Sequence, residues 1–157
     1  METSLQAKNG KAVTRKTTFS RETTVSILIK ADPAIIWALL TKASDYVRWN
    51  STVTSIEGNI ALGGTIKLKS TLDAKRTFKL QVKECVPEQR LVWGDGQGNR
   101  IYTLNKIENG NVMFTMTEKI GGLMFPLYAK MIPSFDEAFE QFASDLKQES
   151  ETIMNAK

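Results

Sequence analysis

Between Thr52 and Lys119 the chain alternates apolar and polar residues in six short runs: VTSIEG, GTIKLKSTL, RTFKLQVKECV, RLVWG, RIYTLNKIE and NVMFTMTEK. A period of two sends successive side chains to opposite faces of a strand, so each run buries one face and wets the other. The separators LGG (62–64), LDAKR (72–76), PEQ (87–89), GDGQG (94–98) and NGN (109–111) have turn composition and are too short for crossovers. The spacing predicts an antiparallel meander of six strands. TTVSILIK, with Val25, Ile27 and Ile29 on one face, supplies a seventh ahead of them.

Helical spacing appears in two places. Asp32 and Pro33 read as an N-cap and first helical position for PAIIWALLT, with Ile36, Trp37 and Leu40 on one side. KASDYVRWN then offers Ser44 as a cap for one more turn carrying Tyr46, Val47 and Trp49. Near the end, Ser134 and Glu137 have capping-box spacing ahead of a stripe of Phe135, Ala138, Phe139, Phe142, Ala143, Leu146 and Ile153. Asp136, Glu140, Asp145 and Lys147 take the opposite side of this helix, which at about 20 residues spans about 30 Å.

A long amphipathic helix cannot bury its stripe alone, and the meander has one apolar face to cover, so the helix is expected to lie across the sheet. The fold class is α+β: a seven-stranded curved antiparallel sheet wrapped around the C-terminal helix, with two short helices between strands one and two closing one end. The inward candidates are Phe78, Leu80, Trp93, Tyr102, Leu104, Phe114, Met116, Phe135, Phe139 and Phe142, with Met124 and Met131 near the mouth. Aromatics and methionines suit adaptable ligand walls and ordinary cores alike, and periodicity does not choose between them.

Composition removes several function classes. The 157 residues fit one domain and contain no histidine, which excludes His-based hydrolase triads and His metal sites. The single Cys85 cannot form an internal disulfide and reads as a small strand hydrophobe. The net charge of +4 resides near the start: residues 1–21 hold Lys8, Lys11, Arg15, Lys16 and Arg21 against Glu2, and the rest carries 16 basic and 16 acidic residues. Residues 1–20 are therefore expected to be a basic flexible tail and 21–157 a single neutral domain, with no nucleic-acid partner. No run suits a secretory signal or a membrane span, so the expected compartment is cytoplasmic. GDGQG leads into a strand rather than a helix and reads as a hairpin loop, not a phosphate cradle. Lys67, Lys69, Lys79 and Lys83 alternate outward, giving a basic outer face.

Catalysis in an apolar pocket would need a buried acid, base or donor aimed at the ligand. If NGN is a three-residue loop closed by Glu108 and Val112, Tyr102 lies opposite Glu118, both on the side of Leu104, Phe114 and Met116, with Arg100 at that face's open end. Tyr102, Glu118 and Arg100 are thus the candidates for acid, base and orienting cation. A slip of one residue would turn all three outward.

The element order and several motifs resemble the START-like (SRPBCC) superfamily, the birch-pollen-allergen-like helix-grip fold, and within it the polyketide cyclase/dehydrase and lipid-transport-like branch. The resembling parts are ADPAIIWALLTKASDYVRWN with Trp37 and YVRWN, the Gly63-Gly64 turn, the run from Pro87 to Trp93, and FTMTEKIGGLMFP, together covering about residues 20–150. The resemblance implies a hydrophobic cavity between sheet and helix used for lipids, sterols or polyketides. Trp37, Trp49 and Met131 then join the inward set as ligand-binding residues, the partner is a hydrophobic small molecule without metal or cofactor, and the chain is a monomer or homodimer. The alternatives are a polyketide cyclase or dehydratase using the same pocket, and a protein-interaction module with a vestigial cavity that works through its lysine face.

Overall fold

A computed structural model describes residues 9–156. Eight strands form one antiparallel sheet: β1 (Ala12–Lys16), β2 (Ser20–Ile29), β3 (Val53–Gly58), β4 (Thr65–Ser70), β5 (Asp73–Val86), β6 (Arg90–Gly94), β7 (Gly98–Lys106) and β8 (Val112–Gly121). Their order is β1-β2-β8-β7-β6-β5-β4-β3. Helices α1 (Pro33–Thr41) and α2 (Tyr46–Trp49) separate β2 from β3, α3 (Phe125–Tyr128) follows β8, and α4 (Asp136–Asn155) ends the fold. The expected helix-grip architecture is present. No helix of the described residues is long and apolar enough to cross a membrane.

The strand count is corrected from seven to eight, because residues 12–16, expected within the flexible tail, form an edge strand on β2 with Ala12 opposite Val25 and Lys16 opposite Arg21. Residues 1–8 of that tail lie outside the described residues. AVTRK is too polar to announce a strand. Its anchors come from α4: Glu140 Oε2 accepts from the Ala12 amide at 2.9 Å, and Asp136 accepts from the Thr14 hydroxyl.

Two further boundaries differ from expectation. The turn after β4 comprises Thr71 and Leu72, with Ser70 opposite Asp73, so most of LDAKR belongs to a long β5. The β7–β8 pair closes at Lys106 opposite Val112, with a loop two residues longer than expected, because Glu108–Gly110 make a 3-10 turn with Asn109 and Gly110 both at positive φ. Tyr102 therefore faces Met116, and Arg100 faces Glu118. A shift of two preserves which face each side chain takes.

The core is continuous from β2, through α1 and α2, to the middle of α4. Phe142, 1% exposed, is ringed by Tyr46 at 6.3 Å, Trp49 at 5.8 Å, Tyr102 at 5.8 Å and Phe114 at 6.3 Å between ring centroids. α4 packs mainly on β2, β1, α1, α2 and β8. The inner face of β4, β5 and β6 thus meets little of the helix. Register shifts at Leu68/Ser70 in β4–β5 and at Val82/Glu84 in β5–β6 bend this half of the sheet.

Candidate functional site

The uncovered half of the sheet encloses a recess of about 200 Å3 beside the N-terminal end of α4. Its apolar wall comes from Leu68, Leu72, Phe78, Leu80 and Trp93, faced across the hollow by Ile132, Pro133 and Phe135. Alternation explains the wall: Phe78 and Leu80 share one face of β5, and their partners across the ladder, Leu68 and Ile66, share one face of β4. Gly94, opposite Asn99 at the end of β6, also lines it, and a Cβ there would collide with the Gly98 carbonyl and the Asn99 side chain.

Polar groups gather on one side. Arg100 Nε donates to Glu118 Oε1 at 2.8 Å, and both side chains, 14% and 15% exposed, border the recess. The Arg100 guanidinium also lies 5.0 Å from the centroid of the Phe139 ring. Burial pushes the Glu118 carboxyl above its ordinary value, Arg100 pulls part of the way back, and Asp95 adds a further upward push. Burial opposes the charge on Arg100, but the Glu118 carboxylate and Tyr102 more than restore it, so the guanidinium stays protonated. Asp73, Arg76 and Asp95 stand at the rim, with Arg76 over the Phe78 ring at 4.4 Å.

The segment between α3 and α4 forms the remaining wall because Arg21 holds it. Buried at the start of β2, Arg21 donates to the carbonyls of Ile132 at 3.1 Å and Pro133 at 2.7 Å and covers the Phe135 ring at 4.8 Å. Ser134 Oγ accepts from the Asp136 amide at 3.3 Å, but Phe135 holds the N-cap position of α4 and the expected Ser134–Glu137 capping box does not form.

Of the residues singled out from sequence, Phe78, Leu80, Trp93, Met131, Phe135, Arg100 and Glu118 come together around the recess. Leu104, Phe114, Met116, Phe139 and Phe142 are packed in the solid core, as is Trp49, whose ring lies 5.0 Å from Tyr46. Trp37 lies half-buried on α1, away from the recess. Met124 is exposed, and Met131, although it edges the hollow, is 81% exposed. Tyr102 is buried behind Trp93, at 5.1 Å between ring centroids. Its hydroxyl feels the Arg100 charge but makes no hydrogen bond of good geometry among the described residues, and burial pushes its pKa up to about 12. The acid expected to pair with Glu118 is therefore not in the recess.

Leu68, Leu72, Ile120, Asp73, Arg76, Ile132 and Pro133 line the hollow without having been singled out. Ile120 was findable, since it continues the face of Phe114, Met116 and Glu118 along β8. Leu72 was hidden by its place in a turn, and Ile132 and Pro133 carry no periodic signal.

Residues 30–151 match the family model described as Activator of Hsp90 ATPase homolog 1-like protein. No curated protein matches the chain. Among solved structures, a START superfamily protein from Mycobacterium smegmatis is 13% identical, with a TM-score of 0.61 over 84% of this chain and 98% of that one. A protein from Rhodobacter sphaeroides is 18% identical, with a TM-score of 0.64 over 94% and 99%. CalU16 from Micromonospora echinospora is 15% identical, with a TM-score of 0.52 over 93% and 96%. At these identities the likenesses establish a shared fold.

Proposed function

This chain belongs to the Activator of Hsp90 ATPase homolog 1-like family, and from that premise we propose that it binds a small apolar molecule in the recess beside the N-terminal end of α4. The observation that carries this reading is the hollow itself: about 200 Å3 walled by Leu68, Phe78, Leu80, Trp93 and Phe135, beside a helix whose middle is packed solid. An apolar cavity of about 150 Å3 stays dry and accepts a benzene ring, so this one holds a ring system somewhat larger. Apolar burial supplies affinity on the order of 25 cal/mol per Å2 before the costs of association.

Native mass spectrometry of protein purified from its host tests the reading, with Leu80→Trp as the control. The wild type is expected to carry a non-covalent small molecule that Leu80→Trp, whose larger ring fills the hollow, lacks. Equal ligand content in the two proteins would contradict the proposal.

One observation favours a catalytic use of the same hollow: Glu118 is a carboxylate held above its ordinary pKa at an apolar cavity, the usual setting of a general acid or base. On this reading Arg100 orients the substrate and Glu118 moves the proton. Turnover of any ligand so identified should then fall by a factor of about 100 or more in Glu118→Gln.

A further inference from the structure

The charged groups around the recess narrow the class of ligand it accepts. Three carboxylates, Asp73, Asp95 and Glu118, border it against two guanidinium groups, Arg76 and Arg100. The cation inside the hollow is already ion-paired, Arg100 with Glu118 and against the Phe139 ring, whereas Arg76 lies over the Phe78 ring at the exposed rim. An anionic ligand inside the hollow would have to displace Glu118 from Arg100 or lie beside the 15%-exposed Glu118 carboxylate, with Asp95 and the exposed Asp73 at the rim adding to the repulsion, and a like charge beside a buried carboxylate costs more than a hydrogen bond returns.

An uncharged group that both donates and accepts meets neither penalty. The Glu118 carboxylate takes the Arg100 Nε hydrogen bond on Oε1, and its Oε2 lies over Gly98, where the absent side chain leaves it room. A hydroxyl placed against the pair can accept from the guanidinium and donate to the carboxylate. The hollow's volume suits one substituted ring or two fused rings.

We propose that the recess selects an uncharged one- or two-ring molecule bearing a hydroxyl, held at the Arg100–Glu118 pair, and rejects carboxylates of the same shape. This rests on the ligand-binding reading given above. It is tested by titrating 2-naphthol, naphthalene and 2-naphthoate into the 15N-labelled protein at pH 7.5, following the Gly94 and Gly98 amides and the Trp93 indole. 2-Naphthol is expected to bind about tenfold more tightly than naphthalene, which corresponds to about 1.4 kcal/mol, and at least tenfold more tightly than 2-naphthoate. Glu118→Gln is expected to raise the naphthoate-to-naphthol affinity ratio at least fivefold. Should that variant not fold, Asp95→Asn keeps the side-chain oxygen that accepts from the Gln97 and Gly98 amides while removing a rim charge, and is expected to raise the ratio about twofold. Binding of all three probes with equal affinity, or of 2-naphthoate most tightly, overturns the ligand class and leaves the recess as a binding site. No shift at Gly94, Gly98 or Trp93 with any probe overturns the ligand-binding reading as well.

Discussion

Phe142 and Phe135 lie on the same stripe of α4 yet should respond differently to truncation. Phe142 is 1% exposed within a cage of Tyr46, Trp49, Tyr102 and Phe114. Phe142→Ala removes a buried ring and leaves a closed cavity in a close-packed core, a loss of about 3–5 kcal/mol. Phe135, 9% exposed, borders a hollow that already exists, so Phe135→Ala enlarges that hollow rather than creating one. What it loses is the transfer of its ring, its stacking on Phe139 at 5.8 Å and the Arg21 contact at 4.8 Å, together about 2 kcal/mol. Urea unfolding of the two variants measures the difference. With a slope of about 2 kcal/mol per molar, the Phe142→Ala midpoint should fall about 1 M below that of Phe135→Ala. Equal midpoints would mean that Phe135 is packed as tightly as Phe142, and the recess would lose its wall.

Three other outcomes are expected. Because the folded-state pKa of Glu118 is raised by burial, its stabilising contribution is fully present below the ordinary value of 4.5 and is lost as pH rises through the folded pKa; a 13C carboxyl titration should place its midpoint above 4.5, and higher still in Arg100→Met, which removes the opposing cation. Lys79 sits directly opposite Lys67 on the outer face, and Lys67 faces Glu57 on its other side, so Lys79→Glu should stabilise the fold by about 0.5 kcal/mol, with the gain shrinking in 1 M salt during denaturant unfolding. Deleting residues 1–16 removes β1, and hydrogen exchange should then show faster exchange at the β2 amides paired with it, while the β8 amides stay protected.

The sheet and the gripping helix were legible because both are written in periodicity, and apolar spacing alone set which faces of β2, β5, β7 and β8 turn inward. The β7–β8 register was not legible to the residue. NGN admits more than one turn, and the 3-10 turn with Asn109 and Gly110 at positive φ moved the pairing by two while leaving Arg100, Tyr102 and Glu118 on the inner face. β1 was missed because its stabilising partners, Asp136 and Glu140, lie more than 120 residues away on α4. The candidate ligand wall divided for a similar reason. Phe78, Leu80, Trp93 and Phe135 have the same residue chemistry as Leu104, Phe114, Phe139 and Phe142, and only the placement of α4, against β1, β2 and β8, decides which of them border a hollow.

That placement accounts for the position of the recess. The segment before α4 is held at one point by the Arg21 hydrogen bonds to Ile132 and Pro133, and the helix is fixed farther along by Glu140 to the Ala12 amide, Asp145 to Ser51, and Lys147 to the Leu28 carbonyl. Most of these ties pull toward β1 and β2, and none reaches β4, β5 or β6. The far half of the sheet, bent by the register shifts in β4–β5 and β5–β6, carries large apolar side chains on its inner face with little of the helix against them. A close-packed solution would need either a wider helix or a flatter sheet, and sheet twist forbids the second. The hollow is therefore a consequence of where the polar anchors of α4 fall, and loosening those anchors, rather than changing the apolar wall, is the change that would let the helix settle over it.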